Sequence, residues 1–320
     1  MSAPAPERHT GALPRVRPHQ RTDHRRAVGL MLLTVAFFAT FDTLSKVANG
    51  FAPLTQTLWV RYAVQAVGMT IWWAIWLRPT QGLRFFRTGH PRFHLARGLL
   101  LISCSVMALV GLRHMPVGEF TAVAFVGPMV AMMLSAWFLR EHVSASQWWL
   151  AALSFTGAMI VIRPGTDVFG WAVVFPLALA TLNAVYQLIT RRLATSADEH
   201  PVFAQWVSGW IGAILLTVPL AWPGTWAHDL SPAQWAVLIS MGLIAMLGQF
   251  FFMHAVALES AATLAPYTYA QIAFAMAGGW LVFAHTPDGW AMVGMLVIGL
   301  SGFIAGLRRA RQLPPLASTP

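Results

Sequence analysis

The sequence of 320 residues is 57% hydrophobic, and only 10% of its residues are charged. Soluble globular domains carry about 25% charged residues, so this composition excludes a water-soluble enzyme and predicts an integral membrane protein. The net charge of +10 does not indicate nucleic acid, because the arginines cluster at the ends of apolar stretches, where they orient a protein in the bilayer. The single cysteine, Cys104, excludes a disulfide within the chain.

Apolar stretches long enough to cross a bilayer recur along the chain and are separated by prolines and glycines. They predict an all-α integral membrane protein with ten transmembrane helices. The predicted spans are, in chain order, residues 27–48, 54–77, 95–113, 116–139, 146–163, 169–190, 201–221, 232–255, 260–284 and 289–307. The first stretch is too long for the apolar region of a secretory signal, so we expect an uncleaved span.

Arginine placement predicts the orientation of the chain. With ten spans, nearly all arginines outside the spans fall on the side of the membrane that holds both termini, including the arginine-rich loop between the second and third spans. Arg97 is assigned to that loop. The positive-inside rule then places both termini in the cytoplasm and the protein in the inner (plasma) membrane. Residues 1–26 are predicted to be a disordered basic tail, and residues 309–320 a second cytoplasmic tail.

Charged residues inside the first two spans are the main candidates for a functional site. Asp42 and Lys46, the only lysine, are four residues apart and therefore share a helix face on which they can pair. Each charge costs at least ~2.5–3.5 kcal/mol in hydrocarbon, so such residues usually face a partner or a wet cavity. Arg61 in the second span could join them in one cluster. The alternatives are an ion pair that only locks helix packing, and an arginine that extends to the membrane surface.

Uncharged polar residues in the second half of the chain supply further candidates. Asn183, Tyr186 and Gln187 lie in the sixth span, and Tyr269 and Gln271 follow Pro266 in the ninth. We expect them to provide hydrogen bonds and aromatic walls for a substrate. The alternative is that such groups only join neighbouring helices, at ~0.6 kcal/mol each on average. His254 is a candidate proton carrier, although a histidine at a helix end is more often a packed or interfacial residue.

The two halves of the sequence repeat weakly. The segment from Ala39 to Asp42, with Lys46, matches Ala180 to Asn183, with Gln187, at an offset of 141 residues. An offset of 144 lays residues 112–141 over 256–285. Five spans per repeat is an odd number, so the repeats, residues 27–165 and 166–308, must have opposite orientations. Inverted repeats with a central substrate site are typical of transporters.

The order of several short motifs resembles the EamA-like family of the drug/metabolite transporter superfamily. The motifs are Asp42-x-x-x-Lys46, Trp59-Val60-Arg61, Arg97-Gly98, Gly127-Pro128, Glu141, Arg163-Pro164-Gly165, Tyr186 with Arg191-Arg192, Pro266-x-x-Tyr269-x-Gln271, and Phe283 with Pro287-Asp288. The resemblance implies ten helices around a central cavity, alternating access, and export or uptake of metabolites. The first two motifs look similar to those of riboflavin and S-adenosylmethionine uptake proteins. His142 and His285 depart from the family pattern at the membrane edge.

The sequence therefore predicts a transporter of a small organic metabolite that is riboflavin-like, S-adenosylmethionine-like or amino-acid-like. The predicted partners are this substrate and the lipid bilayer, with no nucleic acid. Small-residue motifs such as Gly302-x-x-x-Gly306 would allow a homodimer. No nucleophile, phosphate-loop or cysteine motif is present, so we expect no enzyme activity, no cofactor and no metal. The main alternative is a membrane-embedded enzyme that acts on a lipid or prenyl substrate, and a third is a scaffold.

Overall fold

The computed structural model describes residues 18–77, 88–127, 129–130, 133–134, 145–163, 170–194, 201–258, 264 and 267–312. These residues form ten α-helices and no strand. The helices are α1 (Pro18–Ala48), α2 (Leu54–Trp72), α3 (Pro91–His114), α4 (Val117–Ala124), α5 (Ala145–Ile162), α6 (Val174–Ala194), α7 (Pro201–Thr217), α8 (Pro232–Leu258), α9 (Ala270–Phe283) and α10 (Gly289–Gln312). The prediction of an all-α fold with ten transmembrane helices is confirmed, and five of the helices meet a strict criterion of length and apolarity for crossing a membrane.

Helices α1 and α4 differ from the predicted spans. α1 already begins at Pro18, so residues 18–26 are helical, and residues 1–17 lie outside the described part. α4 ends at Ala124 and is followed by a turn. Pro128 explains this end, because a proline has no N–H to donate to the carbonyl of the residue four positions earlier. Pro128, Glu141 and Pro266 themselves lie outside the described residues.

Helix packing shows that the two halves are related by a pseudo-twofold axis. The twofold relation pairs each helix of the first half with the helix five positions later, such as α1 with α6. When the paired helices are exchanged, the α1–α8 contact becomes α3–α6, the α2–α8 contact becomes α3–α7, and the α1–α9 contact becomes α4–α6. The contacts α2–α7, α4–α9 and α5–α10 are converted into themselves. Each of these contacts joins one half to the other, which is the arrangement expected of interlocked inverted repeats.

Two contacts on this axis explain why the sequence permits the arrangement. The rings of Phe125 and Tyr269, which match at the 144-residue offset, pack with their centroids 5.2 Å apart at the interrupted parts of the fourth and ninth spans. Between α5 and α10, a Cβ added to Gly157 would lie 2.9 Å from the carbonyl oxygen of Gly294, and the reverse distance would be 2.6 Å. Neither position has room for a side chain, so the two backbones meet directly.

The bundle has two sides that differ in their contacts. We call the side where α1 begins and α10 ends the terminal side, and the side of residues 49–53 and 284–288 the distal side. Residues between them include Cys104 of α3, which is buried. Each side contains one of the two cavities described below.

Candidate functional site

Asp42, in the last third of α1, connects the two halves of the protein. Its Oδ2 accepts a hydrogen bond of 3.1 Å from Nε2 of Gln271 at the start of α9. The guanidinium of Arg61 on α2 lies close enough to attract this carboxylate. Three of the predicted site residues, on α1, α2 and α9, are therefore brought together.

Arg61 is held in place mainly by neutral groups. Its Nη1 donates to Oγ of Ser105 on α3, and that hydroxyl also hydrogen-bonds the Tyr62 hydroxyl at 2.8 Å. The guanidinium carbon lies 4.6 Å from the ring centroid of Phe41 and 5.1 Å from that of Tyr62. The buried Nε has no hydrogen-bond partner among the described residues. The side chain is thus held between rings, a favourable environment for a cation, and its guanidinium contacts α3.

Lys46 does not pair with Asp42, which corrects the expectation from their spacing. Among the described residues, its Nζ donates to the carbonyl oxygens of Leu112 at 2.8 Å and Met115 at 2.6 Å. These carbonyls lie at the end of α3, where backbone acceptors lack helical partners and the helix dipole favours a cation. Lys46 therefore ties α1 to the connection between α3 and α4. It also lies 5.7 Å from the ring centroid of Phe283.

A cavity of about 280 Å³ opens beside Lys46 on the distal side. Its lining is rich in basic groups and consists of Lys46, Arg113, His114, Met115, Pro116, Val117, Gly279, Phe283 and His285. Behind this lining, Nε2 of His285 lies 2.9 Å from Oε1 of the buried Glu119. Glu119 also attracts Lys46. His285, which departs from the family pattern, is therefore the partner of a buried acid.

Arg97 was counted with the loop arginines, although the predicted third span, residues 95–113, already includes it. It is only 2% exposed within α3, although its position beside an arginine-rich loop suggested a loop residue. Its guanidinium donates to the carbonyl oxygen of Ala204 and the hydroxyls of Ser208, Tyr186 and Thr190, at 2.6–3.2 Å. The hydroxyl of Tyr186 thus binds Arg97, and a contact of Tyr186 with substrate stays a prediction. The sequence gives only a weak signal for this cluster, because Tyr186, Thr190 and Ser208 lie on two other helices and only the packing brings them to Arg97.

Among the described residues, no hydrogen bond joins Asp42 to the other predicted residues of the second half. Asn183 and Gln187 are exposed one turn apart on α6, and neither forms a hydrogen bond with another described residue. Tyr269 packs against Phe125 at the α4–α9 contact. Whether these three side chains contact a substrate stays a prediction.

A second, larger cavity of about 490 Å³ lies between α2, α7 and α8. Its lining includes His254, whose Nδ1 is 2.9 Å from the carbonyl oxygen of Phe250. The proton-carrying role predicted for His254 stays a prediction. No cluster of three metal-ligating side chains occurs in the part of the chain that the structure describes.

The model of the EamA-like transporter family matches residues 25–163 and 170–307. The chain belongs to this family. The two matches cover the two halves that the pseudo-twofold packing relates, so the resemblance seen in the sequence is confirmed. This EamA-like protein is accordingly a membrane transporter, and the reading as a lipid-modifying enzyme is not supported.

Named relatives and a solved structure agree with this assignment. The chain is 28% identical to a riboflavin transporter of Rhizobium johnstonii over 91% of this chain and 95% of the relative. It is 25% identical to a pseudopaline exporter of Pseudomonas aeruginosa, over 86% and 93% of the two chains. It is 24% identical to an S-adenosylmethionine uptake transporter of Rickettsia felis, over 68% and 72%. A crystal structure with 16% identity covers 94% of this chain and 100% of its own, with a TM-score of 0.58, and supports the fold.

Proposed function

We propose that this EamA-like transporter carries a riboflavin-like, S-adenosylmethionine-like or amino-acid-like metabolite across the inner (plasma) membrane. Both termini lie in the cytoplasm, and the two repeats span residues 27–165 and 166–308. Named relatives that act on riboflavin, S-adenosylmethionine and pseudopaline support this class of substrate. The distribution of arginines supports the orientation.

The observation that carries the proposal is the hydrogen bond from Gln271 to Asp42. It joins α9 of the second repeat to α1 of the first, beside the guanidinium of Arg61. A substrate that competes for these polar groups would alter a contact between the halves. This is the coupling that alternating access requires, because movement of one repeat against the other must respond to the solute. Lys46, one helical turn from Asp42, would contribute a second cation.

The remaining site candidates would contact the solute during its passage. Asn183 and Gln187 offer amides on an exposed face of α6, and Tyr186 and Tyr269 offer aromatic rings. We propose transport without catalysis, so the solute leaves the protein chemically unchanged. Gly302 of the small-residue motif faces Tyr269 within the same chain. A homodimer stays a prediction.

The test is uptake and counterflow in proteoliposomes with riboflavin, S-adenosylmethionine, and aromatic and small amino acids, with and without a proton gradient. We expect saturable exchange of one solute, recovered unmodified. Asp42→Asn keeps a hydrogen-bonding partner for Gln271 but removes the charge, so we expect exchange to fall at least tenfold, which corresponds to ~1.4 kcal/mol. Lys46→Ala should also abolish exchange.

Asp229→Asn is the matched control, because Asp229 is exposed in the loop before α8. It should leave exchange unchanged. Normal exchange by a folded Asp42→Asn variant would refute the assigned site. A folded wild-type protein that exchanges none of the solutes would refute the proposed substrate class, and a chemically altered solute would refute transport without catalysis.

A further inference from the structure

The larger cavity has a lining unlike that of the smaller distal cavity. It lies toward the terminal side and contains three amides, the aromatic rings of a tryptophan and a phenylalanine, three flexible apolar side chains and one histidine. The lining residues are Gln65, Met69, Trp72, Gln205, Met246, Leu247, Gln249, Phe250 and His254. No lysine, arginine, aspartate or glutamate is among them. A cavity of this size is within the usual range for a small-molecule site, roughly 300–1,000 Å³.

The three glutamines form one hydrogen-bonded cluster. Nε2 of Gln65 donates to the backbone carbonyl of Gln205 at 3.3 Å, and Nε2 of Gln205 donates to Oε1 of Gln249 at 3.3 Å. The side-chain Oε1 of Gln205 is buried, and no described residue donates to it, although Gln205 is only 7% exposed. The amide nitrogen of Gln249 likewise donates to no described residue. An unused acceptor and an unused donor thus occur on two linked amides.

A buried polar atom without a partner is unfavourable, and proteins seldom retain one without a ligand or water to satisfy it. The Gln205 acceptor and the Gln249 donor together complement a molecular edge that offers a donor next to an acceptor. Imides, carboxamides and the Watson–Crick-like edges of heteroaromatic rings have this pattern. A carboxylate or an ammonium group does not, because each offers only acceptors or only donors.

The walls of the cavity suit the flat faces of such a ring. The rings of Trp72 and Phe250 pack edge to face with centroids 4.8 Å apart. The thioethers of Met69 and Met246 lie on α2 and α8. Aromatic edges and methionine sulfurs make favourable contacts with aromatic rings, and methionine adapts to ligands of different outline.

We propose that this cavity binds the uncharged planar heteroaromatic ring of the transported solute. Gln205 and Gln249 recognise the donor–acceptor edge of the ring, and Trp72 and Phe250 pack against it. This inference rests on the proposed function, since it identifies the ring as part of that solute. It separates recognition into two places: the ring binds between α2, α7 and α8, whereas ionic or polar groups are recognised around Asp42 and Arg61.

The experiment measures equilibrium binding, which requires no transport. Full-length protein in detergent is titrated with lumichrome, the bare flavin ring system, and with ribitol, which has no ring. Quenching of lumichrome fluorescence reports contact with Trp72. We expect saturable lumichrome binding, with no displacement by ribitol. Gln205→Leu and Gln249→Leu should each weaken lumichrome binding at least tenfold, and Trp72→Leu should weaken it and reduce the quenching.

Gln56→Leu is the matched control. Gln56 is also a buried glutamine of α2, but it hydrogen-bonds the backbone of Ala227 on the distal side. It should bind lumichrome with the wild-type affinity once its fold is verified by tryptophan emission. Gln205→Leu removes the unsatisfied Oε1 but also the hydrogen bond to Gln249, so its fold is verified in the same way, and Gln249→Leu provides a second test.

Two outcomes would overturn the inference. One is no saturable lumichrome binding by folded wild-type protein. The other is unchanged lumichrome affinity in both glutamine variants. Displacement of lumichrome by added alkyl chains alone would count in the same way, because the cavity would then hold an apolar chain. Either result, together with normal solute exchange in proteoliposomes, would leave the proposed function intact. Lumichrome binding that depends on Gln205, with no exchange of any solute, would instead refute the proposed function alone.

Discussion

Buried charged groups have different partners on the distal and terminal sides of the bundle. On the distal side, the basic groups of Lys46 and His285 lie close to the buried carboxylate of Glu119, and Arg163 after α5 pairs with Asp288 before α10 at 2.5 Å. On the terminal side, Arg97 is buried among hydroxyls and a carbonyl, and the larger cavity is lined by amides. The contacts of Glu119 with His285 and of Arg163 with Asp288 join the first half to the second on the distal side. Of the two cavities, the larger lies toward the terminal side.

Of the substitutions that test this difference, Arg97→Leu should have the largest effect on the free energy of unfolding. It removes the donor that satisfies the Ala204 carbonyl and the hydroxyls of Ser208 and Tyr186. Several buried polar groups would lose their partner at once, each at a cost of ~1–3 kcal/mol. We expect a loss of about 4 kcal/mol in the free energy of unfolding and a strongly reduced yield of folded protein. Tryptophan emission during thermal unfolding in detergent measures this.

Arg92→Leu is the control for Arg97→Leu, since Arg92 is exposed one and a half turns earlier on the same helix. It should unfold like the wild type. Equal stability of the two leucine variants would mean that the polar contacts of Arg97 do not hold α3, α6 and α7 together.

Glu119→Gln should have an intermediate effect, confined to the distal side. The substitution preserves the volume but removes the negative charge that His285 contacts at 2.9 Å and that attracts Lys46. Because a buried charged partner is lost while His285 is half exposed, we expect a destabilisation of about 2 kcal/mol. Thermal unfolding of Glu119→Gln beside the exposed-site variant Asp229→Asn measures it. Equal melting temperatures would show that charge at Glu119 does not stabilise the distal side.

Asp288→Asn should have the smallest effect, and that effect should depend on pH. Asp288 accepts a hydrogen bond from the backbone N–H of Ala291, and this bond, followed by the one from Arg163, holds the pKa of its carboxyl below the ordinary value of 3.8. A lowered pKa in the folded state means that the ionised group stabilises the fold above pH 3.8 and that this contribution is lost as the pH falls through the lowered pKa.

We therefore expect Asp288→Asn to lower the melting temperature by about 1 °C at neutral pH. The difference between the variant and the wild type should shrink as the pH falls below 3.8. A difference that is constant over the whole acid range would show that the effect comes from the helix cap and not from the charge.

Hydropathy predicted the fold well because every span must bury its backbone polar groups in a helix. The same constraint makes charge in a span conspicuous, so Asp42, Lys46 and Arg61 could be recognised from the sequence. The 141-residue and 144-residue offsets predicted the repeat, and the contact of Phe125 with Tyr269 lies at one of these offsets. These features are local or periodic, and a single sequence displays them directly.

The residues that the sequence did not reveal depend on contacts between distant helices. Lys46 finds its partners at the end of α3, because unsatisfied carbonyls there compete with Asp42 for the ammonium. Arg97 is preceded by loop arginines, and only the packing of α6 and α7 shows that it is buried. The glutamine cluster combines residues from α2, α7 and α8, and a single glutamine in a span has no distinctive pattern.

The buried position of Cys104 has a practical consequence for following all these variants. Because the chain has one thiol and the fold covers it, a thiol-reactive dye can label the native protein only after α3 loosens. Labelling of Cys104 therefore reports unfolding at a known position in the bundle. Replacing this one residue would give a cysteine-free background, in which pairs of labels on the terminal and distal sides could follow the motion of the two repeats in single molecules.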